Sequence, residues 1–224
     1  VDKFVAIASA GTTGAYSGNG ISWTSMSMPA TAQGWYAVTY GDDKFVAVGN
    51  TSTAAYSSDG ISWTGSSIAN TNWTGIAYGN GTFIAVAGYG ASAAYSYDGI
   101  IWNLVNLPSS AGGTKFVTYG NGYFIVTNYV SNDINYSRDG INWSTSSVFS
   151  TYGIKTDIAY GNGIYSIFNY QDTLHSYDGV NWLLGNTIAA TDWQAVAYGN
   201  NRFVATSYNT ANVGSIDGPS NTLN

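Results

Sequence analysis

Short apolar runs alternate along the whole chain with clusters of Gly, Asn, Asp and Ser. Stretches such as Trp193-Gln194-Ala195-Val196-Ala197-Tyr198 and Phe203-Val204-Ala205-Thr206 are aromatic and β-branched and read as strands. They form strands a and b of a repeating unit. A turn of the Gly-Asn-Gly type joins them, and such turns supply the positive φ of a tight hairpin. Strand c is typified by Ala93-Ala94-Tyr95-Ser96. An Asp-Gly turn then leads to strand d, typified by Ile61-Ser62-Trp63-Thr64. Runs apolar on both faces, such as Phe83-Ile84-Ala85-Val86, suit a sheet sandwiched between two others.

The unit repeats. Gly20, Gly60, Gly99, Gly140, Gly179 and Gly218 lie 39 to 41 residues apart, each within a Ser-x-Asp-Gly-x-x-Trp phrase or a variant of it. The repeated acids are Asp59, Asp98, Asp139, Asp178 and Asp217, with Asn19 in the first copy. Their companion rings are Trp23, Trp63, Trp102, Trp143 and Trp182, and the last copy has none. Four antiparallel strands per period of about 40 residues describe a blade of a β-propeller. The fold class is therefore all-β, with repeat copies over 1–33, 34–72, 73–113, 114–154, 155–192 and 193–224 as one propeller domain. The first copy lacks strand a and the last lacks strand d. Six blades with incomplete ends account for both terminal hairpins. Five blades closed by strand exchange, or a piece of a longer propeller, are the alternatives.

The repeated phrase resembles the Asp-box of bacterial neuraminidase-type (BNR) repeat propellers, and the resemblance runs over essentially the whole chain. Here Asp and Gly are adjacent, whereas the usual box has one residue between them, a shortened form like that of bacterial and phage surface proteins. The resemblance implies a propeller. It does not extend to sialidase chemistry, for which the family uses three arginines and a Tyr/Glu pair. This chain has Arg138 and Arg202 alone and no Glu. An acid present in nearly every repeat reads as a turn residue, accepting hydrogen bonds from its own backbone. His175 stands in the strand-c column otherwise filled by Tyr16, Tyr56, Tyr95 and Tyr136, and reads as a packing substitute.

Composition narrows the function. Of 224 residues only 8% are charged and the net charge is −6, which opposes binding to nucleic acid or to anionic membrane surfaces. No apolar run is long enough for a transmembrane helix, so no direct membrane insertion is expected. Cysteine is absent and His occurs once, so no disulfide, metal site or cofactor is expected. The opening Val1-Asp2-Lys3 suits a processed form or part of a larger polypeptide or multimeric surface assembly. The a–b and c–d turns are uniform, and the loops on the opposite end of the blades vary.

Variable loops are the natural place for function. Trp35, Trp73 and Trp193 start strand a in three copies, where the others have Thr114 and Lys155. Tyr89, Tyr129, Tyr170 and Tyr208 fall in b–c loops. Asp133, Asp172 and Asp192 are placed in loops and Asp157 in a strand a. Exposed rings beside Asp and Asn suit sugar stacking, so the leading expectation is a non-catalytic extracellular propeller. It would sit on a cell or virion surface and recognise neutral glycans or a surface receptor through Trp35, Trp73, Trp193, the loop tyrosines, Asp157, Asp172 and Asp192. A structural or assembly propeller of a surface appendage is the alternative. A glycan-cleaving enzyme using Asp133, Asp157, Asp172 or Asp192 is a third reading. Rings lining a central funnel without any ligand account for the same aromatics.

Overall fold

A computed structural model describes residues 2–30, 34–69, 72–108, 114–128, 131–148, 157–169, 172–187, 193–207 and 213–217. Among these the chain is all β, in six antiparallel sheets that follow one another in sequence. The first sheet is β1 (Phe4–Ile7), β2 (Thr13–Ser17) and β3 (Thr24–Ser27). The second is β4 (Trp35–Gly41), β5 (Lys44–Gly49), β6 (Thr53–Ser57) and β7 (Thr64–Ser67). The third is β8 (Trp73–Gly79), β9 (Thr82–Ala87), β10 (Ser92–Ser96) and β11 (Asn103–Asn106). The fourth is β12 (Thr114–Gly120), β13 (Tyr123–Asn128), β14 (Asp133–Ser137) and β15 (Ser144–Ser147). The fifth is β16 (Ile158–Gly161), β17 (Ile164–Phe168), β18 (Asp172–Ser176) and β19 (Leu183–Thr187). The last is β20 (Trp193–Gly199), β21 (Arg202–Ser207) and β22 (Val213–Asp217). Among the described residues each sheet keeps the order a-b-c-d, with strands b to d in the first and a to c in the last.

The a–b turns are tight because Asn80, Asn121, Asn162 and Asn200 all adopt positive φ, the geometry of hairpins whose twist matches their strands. Strand d starts later than the apolar pattern suggests. Ile61, Ser62 and Trp63 belong to the turn, and β7 opens at Thr64. The reason is local: Asp59 Oδ1 accepts from the N–H groups of Ile61 and Ser62, which removes both from the ladder.

No sheet has a core of its own. The apolar clusters lie between consecutive sheets, so stacking creates the interior. Val5, Ile7 and Tyr16 of the first sheet pack with Trp35, Ala47, Ala55 and Trp63 of the second. Val46, Val48 and Ala54 of the second pack with Trp73, Ile76, Phe83 and Trp102 of the third. The remaining junctions follow the same scheme.

The four junctions between the second and last sheets each have an inner lock. The ring of Tyr78 lies over Gly41, Tyr119 over Gly79, Tyr160 over Gly120 and Tyr198 over Gly161, so close that a Cβ on any of these glycines would overlap the ring. Each of these tyrosines also packs on an aromatic ring of its own strand b, with centroids 4.6 Å apart for Tyr78–Phe83 and 4.7 Å for Tyr119–Phe124. Gly199, the corresponding glycine of the last sheet, has nothing within 4 Å. Among the described residues the first and last sheets form no packed junction with each other.

This asymmetry makes a paired prediction. Gly79→Ala should lower stability by roughly 1–3 kcal/mol through overpacking. Gly199→Ala should fall within about 0.5 kcal/mol of the parent. Denaturant melts of the two variants check the difference.

Candidate functional site

The repeated turn is a self-contained hydrogen-bond unit. Ser57 Oγ accepts from Gly60 N at 2.9 Å and donates to Asp59 Oδ1 at 2.9 Å, while that oxygen takes Ile61 N and Ser62 N, both at 2.8 Å. The same set surrounds Asp98, Asp139 and Asp178, and Asn19 in the first sheet. The backbone N–H groups of Ser62 and Ile61 hold the Asp59 carboxyl down to about 2. Asp139 and Asp178 are also lowered to about 2, with backbone and Asn side-chain donors outweighing the upward push of burial. Gly60 needs its positive φ of 71°, and a Cβ there would press on Phe45 and on Val5 of the preceding sheet. Asp217 closes β22 opposite Arg202, and its turn runs outside the described residues.

These turns also tie neighbouring sheets. Lys3 Nζ donates to the Asp59 carbonyl at 2.9 Å and Lys44 Nζ to the Asp98 carbonyl at 3.3 Å. Asn121 Nδ2 donates to the Tyr177 carbonyl at 2.9 Å. Trp63, Trp102, Trp143 and Trp182 are half-buried against the core of the preceding junction. Trp23, on the first sheet, is 46% exposed.

The strand-a tryptophans are not the exposed rings expected of them. Trp35, Trp73 and Trp193 are 1%, 0% and 4% exposed, in three separate inter-sheet clusters. A β-bulge follows each: the register shifts between Trp35 and Ala37, Trp73 and Gly75, and Trp193 and Ala195. The extra residue turns each indole onto the face that meets the preceding sheet. Trp193 stands edge-on to Phe168 there, with centroids 6.0 Å apart. These rings cannot stack on a sugar from solvent.

The other expected site residues are scattered. Tyr89 lies in a b–c loop and is exposed. Tyr129, Tyr170, Tyr208 and Asp192 lie outside the described residues. Asp133 and Asp172 begin strands c rather than lying in loops, and Asp133 Oδ1 accepts from Ser147 Oγ across the ladder at 2.7 Å. His175 is half-buried in its strand-c column, edge-on to Tyr177.

Asp157 lies just before the shortened β16 rather than within it. Its Oδ1 accepts from Ile158 N at 2.8 Å and its Oδ2 from Val196 N of the next sheet at 3.4 Å. Burial pushes its carboxyl up to about 6, and the two N–H groups offset only part of that. A carboxyl in this state can exchange a proton near neutral pH, while its oxygens bridge two inner strands. The sequence marks it only by its column, where other copies have Ala37, Gly75, Phe116 and Ala195. On the turn side of the fourth sheet, Tyr123, Tyr136, Arg138, Asp139, Asn142 and neighbours line a shallow hollow of about 340 Å³. Arg138 Nε donates to Tyr123 Oη at 2.8 Å, so its guanidinium is already engaged.

No protein-family model matches this sequence, and no curated protein matches it. Solved structures share the fold. A catalytically inactive variant of virginiamycin B lyase from Staphylococcus aureus, solved with quinupristin, is similar at a TM-score of 0.81 and 10% identity, over 92% of this chain and 74% of that one. A chain of the nidogen/laminin complex is similar at 0.69 and 11% identity, over 96% and 89%. The WD40 β-propeller domain of Doa1 is similar at 0.64 and 11% identity, over 82% and 65%. The fold is that of a β-propeller.

These findings correct the leading expectation. A non-catalytic propeller taking neutral glycans or a receptor through exposed tryptophans does not stand, because the indoles are core and the fold is shared with lyases. The likeness includes both a lyase and a propeller solved with a protein partner.

Two outcomes follow. Trp73→Ala should cost about 3–5 kcal/mol of stability, as for a buried Trp, read from a denaturant melt. For Asp157, the folded-state value lies above the unfolded one, so its contribution is full below about pH 4 and is lost as pH rises through 6. The loss approaches 3 kcal/mol. The melting temperature should therefore fall between pH 4.5 and 7.5, and Asp157→Asn should flatten that fall.

Proposed function

We propose that this chain is a protein-binding propeller that engages its partner through apolar side chains exposed on its first and last sheets. One observation carries the reading. Phe4 and Trp23 are 56% and 46% exposed on the first sheet, whereas their counterparts in the other sheets are buried or half-buried. Phe4 lacks the strand-a tyrosine that covers Phe45, Phe83 and Phe124, because the first sheet has no strand a. With Ile21, 83% exposed, these rings make one apolar patch beside Gly20.

At the other end Val204 is 38% exposed, whereas its counterparts Val46, Ile84 and Ile125 are fully buried. Ala195, Ala197 and Thr206 are exposed on the same face. A contiguous apolar patch of this kind marks an interaction surface. A propeller of this fold has been solved in the nidogen/laminin complex, which supports a protein as the partner. The hydrogen-bonded turns support reading the repeats as shortened Asp-boxes, and the six successive sheets support six blades as their number.

The chain has no cysteine, so single cysteines report directly on the two faces. Ala6→Cys and Ala197→Cys should both react with maleimide in dilute solution at the rate of a solvent-exposed thiol. Slow reaction at both positions would mean that the faces are covered within one chain and would overturn the reading.

A further inference from the structure

The turn side of the sheets is built alike in every copy, so a departure from the repeat stands out there against the other copies. Three departures gather at one place. Strand b is opened by Lys3, Lys44, Thr82, Tyr123, Ile164 and Arg202, and only the fourth copy has a ring. Between the Ser and Asp of the turn stand Gly18, Ser58, Tyr97, Arg138, Tyr177 and Ile216, and only the fourth copy has a charge. The next residue of strand b is Phe in every copy but the fifth, which has Tyr165. These three exceptions meet. Arg138 Nε donates to Tyr123 Oη at 2.8 Å, and the guanidinium carbon stands 4.5 Å from the centroid of the Tyr123 ring. Tyr165 Oη donates to the Gly120 carbonyl, with the Tyr123 carbonyl also within 3.2 Å. The Tyr165 hydroxyl thus anchors the hairpin that carries Tyr123, and Tyr123 in turn holds the arginine.

The hollow of about 340 Å³ beside them keeps its donors unused. The bond to Tyr123 engages only Nε, so the two Nη groups have no partner among the described residues, and neither do Tyr136 Oη and Ser144 Oγ. Asp139 is already saturated: Oδ1 accepts from Ser137 Oγ, Ile141 N and Asn142 N, and Oδ2 from Asn142 Nδ2. The free end of a guanidinium offers two parallel N–H bonds, which match the two oxygens of a carboxylate. Ring contact and the Nε bond hold this fork in place before a ligand arrives, which lowers the ordering cost of binding. Asp139 stays ionised nearby and the chain carries a net charge of −6, so a singly charged group is favoured over a phosphate dianion. We propose that the hollow at Tyr123, Tyr136 and Arg138 is a binding site for an organic carboxylate, gripped by the Arg138 Nη pair with its apolar body against the Tyr136 ring. The site lies on the fourth sheet and is independent of the exposed apolar side chains of the first and last.

Benzoate is the probe, titrated at low ionic strength into the 15N-labelled full chain and followed by NMR at the Arg138 Nε–H and the amides of residues 137–144. A saturable shift confined to these signals is expected. Benzamide, neutral and of the same shape, should give none, and inorganic phosphate should bind at least about fivefold more weakly. Arg138→Gln should abolish the shift, and Arg138→Lys should weaken binding by about tenfold, because an ammonium cannot present the fork. Tyr123→Phe keeps the ring but frees the guanidinium, and should weaken binding severalfold with the spectrum otherwise intact. Tyr97→Arg on an Arg138→Gln background puts a cation at the matching exposed position of the third sheet, where Thr82 replaces the supporting ring. It should not restore binding. Absence of a saturable shift would overturn the proposal. So would equal shifts from benzamide, phosphate binding as tight as benzoate, or restored binding in the Tyr97→Arg variant, which would mean apolar contact or a bare surface cation instead of a built site.

Discussion

Every sheet in this molecule is apolar on both faces and too thin to hide either one, so the fold depends on sheet-to-sheet stacking. Four strands supply a ladder of backbone hydrogen bonds but no interior. The interior is made at the junctions, by the Tyr-over-Gly lock near the axis at four of them and by the Trp-bearing turn further out at the first four. Removing either element loosens a boundary between repeats, which in nearest-neighbour architectures also weakens the cooperation between them.

The low charge of the chain follows from this arrangement. Interior sheets offer little lateral surface to water, so polar residues concentrate in turns, where Asp, Asn, Ser and Gly serve the backbone. The repeated aspartates are good examples. Each carboxylate is satisfied by N–H groups of its own turn, and the depression of Asp59, Asp139 and Asp178 to about 2 reflects that local capture. Asp157 is the opposite case. Burial between two inner strands dominates, and its proton is held to about pH 6.

Much of the architecture was legible in the sequence. The 39 to 41 residue spacing of the turn glycines marks the repeat and its four strands. The site was not legible, for a physical reason. Position at the start of strand a beside the variable loops suggested exposed rings, but a one-residue bulge after Trp35, Trp73 and Trp193 turns each indole into a junction. The asymmetry of the end sheets was equally hidden. Phe4 and Phe45 sit in the same sequence phrase, and only the presence or absence of a tyrosine strand beside them separates an exposed ring from a buried one.

The central claim is that protection comes from having a neighbour on both faces and that, among the described residues, the two end sheets have one on a single face. Amide hydrogen exchange followed by mass spectrometry in dilute solution tests it most directly, because local opening reports the stability of each sheet separately. β1–β3 and β20–β22 should exchange markedly faster than β8–β15. Equal protection across all six sheets would mean that the ends are covered within a single chain, and would contradict the account.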